Sequence, residues 1–184
     1  MATLQGFLLY VGYGACYRGW ALAVQGQDEG GLAQIRQGMA TVMATRAELS
    51  PPLCLVLLAE AAGHVGQVEE GLRLLTEAVV AFEASGRGDM LTEAYRLQGA
   101  LLLRQVVPAV ARAEACFEQA LAIARRQQSK SWELRAAISL SHLWQQQGKQ
   151  HDARELLAPI YGWFTEGFDT ADLLEAKALL DEWS

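Results

Sequence analysis

The chain has 184 residues, a size typical of one domain, and its formal net charge of −6 argues against a nucleic-acid-binding protein, which would carry a basic surface. Hydrophobic residues make up 52% of the sequence, and the abundance of Ala, Leu, Gln and Glu favours α-helices. The N-terminus has no basic region, so we expect no signal peptide, and Gly12, Gly14 and Arg18 break the apolar stretch there, so we expect no membrane association. The three widely spaced cysteines favour a cytoplasmic location.

The first predicted element contains the stretch YVGYGACYRG at residues 10–19, which has two interpretations. It could be a strand that enters a phosphate-binding loop, or one glycine-rich helix. A dinucleotide fingerprint needs a third glycine three residues after Gly14, where this chain has Tyr17, and no Walker A motif occurs. A helix is therefore predicted, and Gly12 and Gly14 would allow a close crossing with another helix.

A repeat of about forty residues follows the chain from its first unit to its fourth. Small residues at 31, 71, 113 and 153 are spaced 40, 42 and 40 apart, and a large apolar residue follows each by four positions. An apolar helix precedes the turn in every unit. The pattern predicts four antiparallel helix pairs, over residues 3–48, 51–86, 89–128 and 131–164, in a single domain over 1–184.

This spacing resembles that of tetratricopeptide repeats (TPR), and Gly19, Ala59 and Gly99 match the small residue of the first helix in that family. The resemblance covers all four units and implies an all-α, right-handed α-solenoid of four TPR-like helix hairpins. The sequence departs from the family in its period, about 40 rather than about 34 residues, and lacks the terminal Pro and early Trp of most units. Longer helices or longer links would explain the difference.

The last predicted element is a capping helix over residues 169–183. Asp169 is the expected N-cap, and a run of leucines and alanines gives the helix an apolar side. Such a helix would cover the last repeat, as arrays of repeats require. Trp163, Phe164 and Phe168 are expected to anchor it in the core.

A second resemblance concerns the C-terminal half. The stretches 113–149 and 153–180, with the string GWFTEGFDTADL, are similar to the C-terminal TPR region of large bacterial signalling ATPases, in some of which an adenylate cyclase-like domain precedes the ATPase. The resemblance implies that this chain is the sensor or scaffold part of such a protein, or a stand-alone relative. The ATPase and cyclase modules themselves are absent from the sequence.

No motif predicts catalysis, a cofactor or a metal. GxSxG, HExxH and HxxxH are all missing, and the histidines are far from the cysteines in sequence. Cys16, Cys54 and Cys116 are odd in number and widely spaced, which indicates reduced, buried thiols. We therefore expect a protein that is not an enzyme.

Two surfaces are predicted to bind partners. The first helices of a TPR-like array line its concave groove, which suits an extended peptide or a partner helix. In the repeat register the candidate groove residues are Tyr13, Trp20, Glu60, His64, Arg96, Arg135 and His142. Arg96 and Arg135 could hold carboxylates of a partner, or could pair with Glu60 and Glu93 and bind nothing. The N-terminal helix is apolar almost all round, and its candidate self-association residues are Phe7, Leu8, Tyr10, Val11 and Tyr17. Repeats that precede this segment in a longer protein would cover the same surface.

Three functions remain open. The leading hypothesis is a scaffold for a protein or peptide partner in a bacterial signalling system. The second is a self-association module that forms a homodimer through its N-terminal helices. The third is a sensing domain that binds a small ligand in the groove.

Overall fold

The computed structural model describes residues 2–45, 51–85, 88 and 90–183, and these residues form helices joined by short turns. The prediction of an all-α fold is confirmed. The helices are α1 (Ala2–Val24), α2 (Asp28–Ala44), α3 (Pro51–His64), α4 (Val68–Ser85), α5 (Leu91–Leu103), α6 (Val110–Arg126), α7 (Lys130–Gln146), α8 (Gln150–Tyr161) and α9 (Ala171–Glu182).

The turns after α1, α3 and α7 share one backbone conformation. Gly26, Gly66 and Gly148 have φ values of +85°, +81° and +76°, a left-handed conformation that favours glycine. The amide that follows each glycine bonds the carbonyl five residues earlier, at 2.8 to 2.9 Å. These bonds end each first helix and reverse the chain. The turn between α6 and α7 uses the same bond but places Gln128 at φ 55°.

Small residues let the two helices of a pair approach closely, as the repeat predicts. A Cβ on Gly19 would lie 2.7 Å from the carbonyl oxygen of Gly31, and one on Gly12 would lie 2.9 Å from that of Gly38. The α1–α2 crossing therefore excludes any side chain at Gly12 and Gly19. In the last pair, the hydroxyl of Ser141 donates to the carbonyl of Ala153 at 3.4 Å.

The described residues fall into two compact units. The first comprises those within Met1–Met90 and Leu101–Pro108, and the second those within Leu91–Ala100 and Ala109–Ser184. In the first unit, α1 packs against α2, α3 packs against α4, and α3 also contacts α1 and α2. Its core includes Ile35, Val42, Val56, Leu75 and Phe82.

In the second unit, α7 packs against α6, α8 and α9. The core lies between these helices and includes Leu134, Ile138, Leu157, Leu173 and Leu179. Apolar contacts thus hold α9 on α7 and α8, which is the capping arrangement that solenoids need. No helix of the described residues has the length and apolar character required to span a membrane.

The start of α9 and its aromatic neighbours differ from the prediction. Thr170, not Asp169, precedes the helix, with extended backbone, and its hydroxyl donates to the Gly167 carbonyl at 2.8 Å. Trp163 is 58% exposed and Phe168 is 45% exposed, so the expectation that both lie in the core is wrong. Phe164 is half-buried and packs against the core, as expected. Trp163 contacts Phe164 edge-on, with ring centroids 5.2 Å apart, and Phe168 packs on Tyr161 in a tilted arrangement at 5.8 Å.

Candidate functional site

A largely apolar stripe, most of it exposed, runs along α1. Its residues repeat at helical spacing, so they occupy one side of the helix, opposite the side that packs on α2. We define the α1 stripe as Phe7 (68% exposed), Tyr10 (75%), Val11 (47%), Gly14, Tyr17 (48%), Arg18 and Ala21. A Cβ added at Gly14 would meet no atom within 4 Å. Leu8 is also exposed, at the side of the stripe.

The same side of the later first helices is buried. The repeat spacing of 40 places Cys54, Leu57 and Ala61 of α3 at the positions of Gly14, Tyr17 and Ala21, and all three are buried. The helix α3 packs on α1 and α2, and Cys54 Sγ lies 3.5 Å from Cys16 Sγ of α1. In the second unit, Ala136 and Leu143 of α7, at the positions of Gly14 and Ala21, are buried, and Ser139, at the position of Tyr17, is half-buried. The α1 stripe therefore occupies the face that packs against a preceding helix pair elsewhere in the repeat.

The groove residues of the first unit are partly buried on α1 and α3. The indole Nε1 of Trp20 donates to Glu60 Oε2 at 2.7 Å, which joins equivalent positions of the two first helices. Tyr13 is half-buried on the same side of α1, about two helical turns before Trp20. His64 is exposed in the last turn of α3, where a cationic side chain suits the helix dipole.

The arginines of the second unit hold carboxylates of this chain. Arg96 bonds both oxygens of Glu93, at 2.8 and 2.7 Å, within α5. Arg135 on α7 bonds Asp172 at 2.9 and 3.1 Å and lies 3.8 Å from Glu93. Glu93 itself is buried, so its charge is neutralised by both guanidinium groups rather than by water.

Two further polar residues of α7 meet α9. His142 Nε2 lies 2.8 Å from Glu175 Oε1, and the Gln145 amide donates to Glu182 at 2.8 Å. The predicted groove residues Arg135 and His142 therefore contact the capping helix. The sequence pattern did not indicate these acidic partners, because only the apolar side of the capping helix was expected to make contacts. The helix α9 follows α8 in the same way that the first helix of each repeat follows the second helix of the repeat before it. Continuing the repeat positions of the first helices into α9 would have indicated these acidic partners.

A shallow cleft of about 590 Å³ lies beside the turn between α6 and α7. It is lined by Arg125, Gln128, Lys130, Glu133 and Trp163. Glu133 is buried and bonds Lys130 at 2.6 Å and Arg125 at 3.0 Å. Burial opposes ionisation, but the two cations together hold the pKa of Glu133 below its usual value. The basic groups of this cleft are therefore engaged with the chain's own carboxylate.

The cysteines are free thiols. Cys16 and Cys54 are buried with their Sγ atoms 3.5 Å apart, whereas Cys116 is only half-buried. The hydrogen bond with Cys16 and burial raise the pKa of Cys54, so this thiol is held protonated. Across the part of the chain that the structure describes, no cluster of three or more His, Cys, Asp or Glu side chains could hold a metal ion.

No protein-family model and no curated protein matches the sequence. Among solved structures, the chain is similar to a candidate kinesin light chain of Podosopora anserina with nearly identical TPR-like repeats. The TM-score is 0.71 at 20% sequence identity, and the match covers 93% of this chain and 84% of that one. A single-substitution variant of that protein gives the same values. At this identity the likeness shows the fold, which is that of a TPR-like repeat solenoid.

Proposed function

We propose that the chain is a non-catalytic helical-repeat scaffold that binds another protein chain through the α1 stripe. The observation that carries this proposal is the exposure of Phe7, Tyr10, Val11 and Tyr17 on one side of α1, together with the burial of Leu57, which holds the position of Tyr17 in α3. A TPR-like fold suits protein partners, because stacked helix pairs offer long apolar faces to another helix. Large exposed apolar patches on folded proteins are typical of interaction sites.

The repeat also indicates what kind of surface would cover the stripe. On α3, the corresponding face is covered by the helices of the preceding pair. The partner of the α1 stripe is therefore expected to present an amphipathic helix or helix pair. Helix-in-groove recognition of this kind uses anchors spaced by three and four residues, which is the spacing of the stripe itself.

The cellular setting of the scaffold is also part of this proposal. The resemblance of 113–149 and 153–180 to repeat regions of bacterial signalling ATPases supports a role beside or within such a protein. The three free thiols suit the reducing bacterial cytoplasm. In this setting the repeats would position a partner for the ATPase rather than carry out chemistry.

The predicted groove residues are second proposed contact surfaces within each unit: Tyr13, Trp20, Glu60 and His64 in the first, and Arg96, Arg135 and His142 in the second. Arg135 and His142 remain partly exposed, although each pairs with a carboxylate of α9. An acidic peptide could bind there by exchanging its carboxylates with Asp172 and Glu175. Because that exchange gains little charge pairing, the α1 stripe is the stronger candidate.

Photocross-linking from the stripe tests the proposal. Benzoylphenylalanine at position 10, in cells that make the protein, should form products that contain a second polypeptide chain. The matched control is position 106, since Val106 is fully exposed but lies outside the stripe. Products at position 10 that are absent at position 106 would support a protein-binding role. Equal or absent products at both positions would overturn it.

A further inference from the structure

We propose that the occupant of the α1 stripe is the α1 stripe of a second copy of this chain, packed antiparallel and crossing at Gly14. This inference rests on the proposed function, because it names the partner for the surface described above. The supporting observation is the order of the stripe residues on either side of Gly14.

The stripe is self-complementary about Gly14. In an antiparallel pair of helices that cross at this residue, positions whose numbers add to 28 face each other. Tyr10 then faces Arg18 of the second copy, Val11 faces Tyr17, and the large Phe7 faces the small Ala21. A two-fold interface requires this property, since the same patch must fit itself.

Gly14 supplies the crossing point. Small residues at a helix crossing let two backbones approach, and α1 already uses Gly12 and Gly19 in this way against α2. Gly14 is exposed on the opposite side, with open space where a Cβ would be. A glycine in a helix interior lowers helix stability by roughly 1 kcal/mol relative to alanine. A second close helix crossing would give Gly14 a packing role that offsets this cost.

The charge distribution favours the antiparallel arrangement. Arg18 is the one charged residue in the sequence of α1. In the antiparallel pair its guanidinium lies over the ring of Tyr10 from the other copy, which is a favourable cation–π geometry. The two Arg18 residues are then about 12 Å apart along the helix axis, a distance at which their repulsion is screened. A parallel pair would place the two arginines side by side.

Equilibrium sedimentation of the full chain and of charge variants tests this pairing. The wild-type chain should dimerise with a micromolar dissociation constant. Tyr10→Arg should weaken the dimer by about tenfold or more, because it places like charges opposite each other. Adding Arg18→Glu to Tyr10→Arg should restore dimerisation, since the introduced arginine of one copy then faces the introduced glutamate of the other. Val106→Arg makes the same charge change outside the stripe and should leave the dimer unchanged.

Three results would overturn the inference: a wild-type chain that stays monomeric at about 100 µM, a Tyr10→Arg variant that dimerises as the wild type does, or a double variant that remains monomeric. Circular dichroism melting of each variant verifies that the monomers are folded. A monomeric wild type whose position 10 still cross-links to another protein would refute the second copy and leave the proposed function standing. A monomeric wild type without cross-links would refute both.

Discussion

The indole Nε1 of Trp20 donates a 2.7 Å hydrogen bond to the carboxylate of Glu60, and these residues hold equivalent positions of α1 and α3, 40 residues apart. The repeat register therefore corresponds to a physical contact between neighbouring first helices. Two of the side chains expected to line the groove, Trp20 and Glu60, are therefore joined to each other. Their polar groups stabilise the stacking of helix pairs whether or not a ligand is present.

A double-mutant cycle on Trp20 and Glu60 should measure this contact. Trp20→Phe and Glu60→Met, which removes the acceptor, together should give a coupling free energy of about 1–2 kcal/mol, because the hydrogen bond has a charged acceptor. Thermal or urea unfolding of the four proteins provides the values. Trp163→Phe is the control, since this exposed indole should contribute little. Additive effects of the two substitutions would show that the bond contributes nothing to stability.

Removal of Arg96 should destabilise the second unit. Arg96→Ala leaves the buried Glu93 to the more distant Arg135, at 3.8 Å, and should cost about 1–3 kcal/mol of unfolding free energy. Glu93→Gln in the same chain should recover part of that loss because the buried charge is gone.

The matched control for Arg96→Ala is Arg73→Ala. Arg73 bonds both oxygens of Glu70 at 2.8 Å in the same i,i+3 geometry, but on an exposed surface of α4. The urea midpoint of that variant should barely change, because water replaces an exposed pair. Equal losses in the two variants would contradict the importance of burial at Glu93.

Acid should weaken the second unit through Glu114. The indole of Trp144 donates to Glu114 at 2.6 Å and, with weaker contacts from Gln147 and Lys149, holds the pKa of Glu114 below 4.5. A folded-state pKa below the unfolded value contributes stability that is present above pH 4.5 and is lost as the pH falls through the folded pKa. Unfolding free energies measured from pH 7 down to about pH 3 should therefore fall less steeply for Glu114→Gln than for wild type. Parallel curves would contradict this assignment.

Gln128 offers a stabilising substitution. It is the non-glycine residue at φ 55° in a turn whose counterparts use Gly26, Gly66 and Gly148. Gln128→Gly should raise the unfolding free energy by about 0.5–1 kcal/mol, because relief of left-handed strain exceeds the added entropy of the unfolded chain. Gly148→Ala, the reverse change, should lower it by a similar amount. A loss of stability in Gln128→Gly would show that the Gln128 side chain stabilises the folded turn.

The fold was predictable because its determinants are local and repeated. Gly31 and Ala153 lie at positions where a helix backbone passes close by, and Gly26 and Gly148 lie where the backbone is left-handed. At each of these positions the local backbone requires a small residue or a glycine. The residue type therefore indicates the position without knowledge of the tertiary structure. Repetition at a fixed spacing then identified the helix pairs.

The partners of the groove residues were less predictable. Arg135 and His142 meet Asp172 and Glu175 because α9 continues the stacking, a contact that depends on where α9 docks. Trp163 and Phe168 were expected in the core because large aromatic rings are usually buried, yet both lie in the loop before α9, outside the packed helix faces. Residue type alone does not specify such positions.

The glycine-rich start of α1 contains one feature that the sequence predicted and one that it did not explain. It is a helix, as the missing third glycine predicted, and Gly12 packs against Gly38 of α2. Gly14 has no such neighbour within the described part of the chain and lies at the centre of the exposed stripe. One glycine therefore serves the helix pair, and the other is available for a contact with another chain.

Hydroxyl-radical footprinting of Tyr10 inside cells, compared with dilute purified protein, tests the central claim most directly. Trp163 is the internal reference, since it is an exposed aromatic residue outside the stripe. If a protein surface covers the α1 stripe, Tyr10 and Phe7 should be protected from oxidation in cells while Trp163 reacts equally in both samples. Equal oxidation of Tyr10 in cells and in dilute solution would contradict the claim that this face is a protein-binding surface.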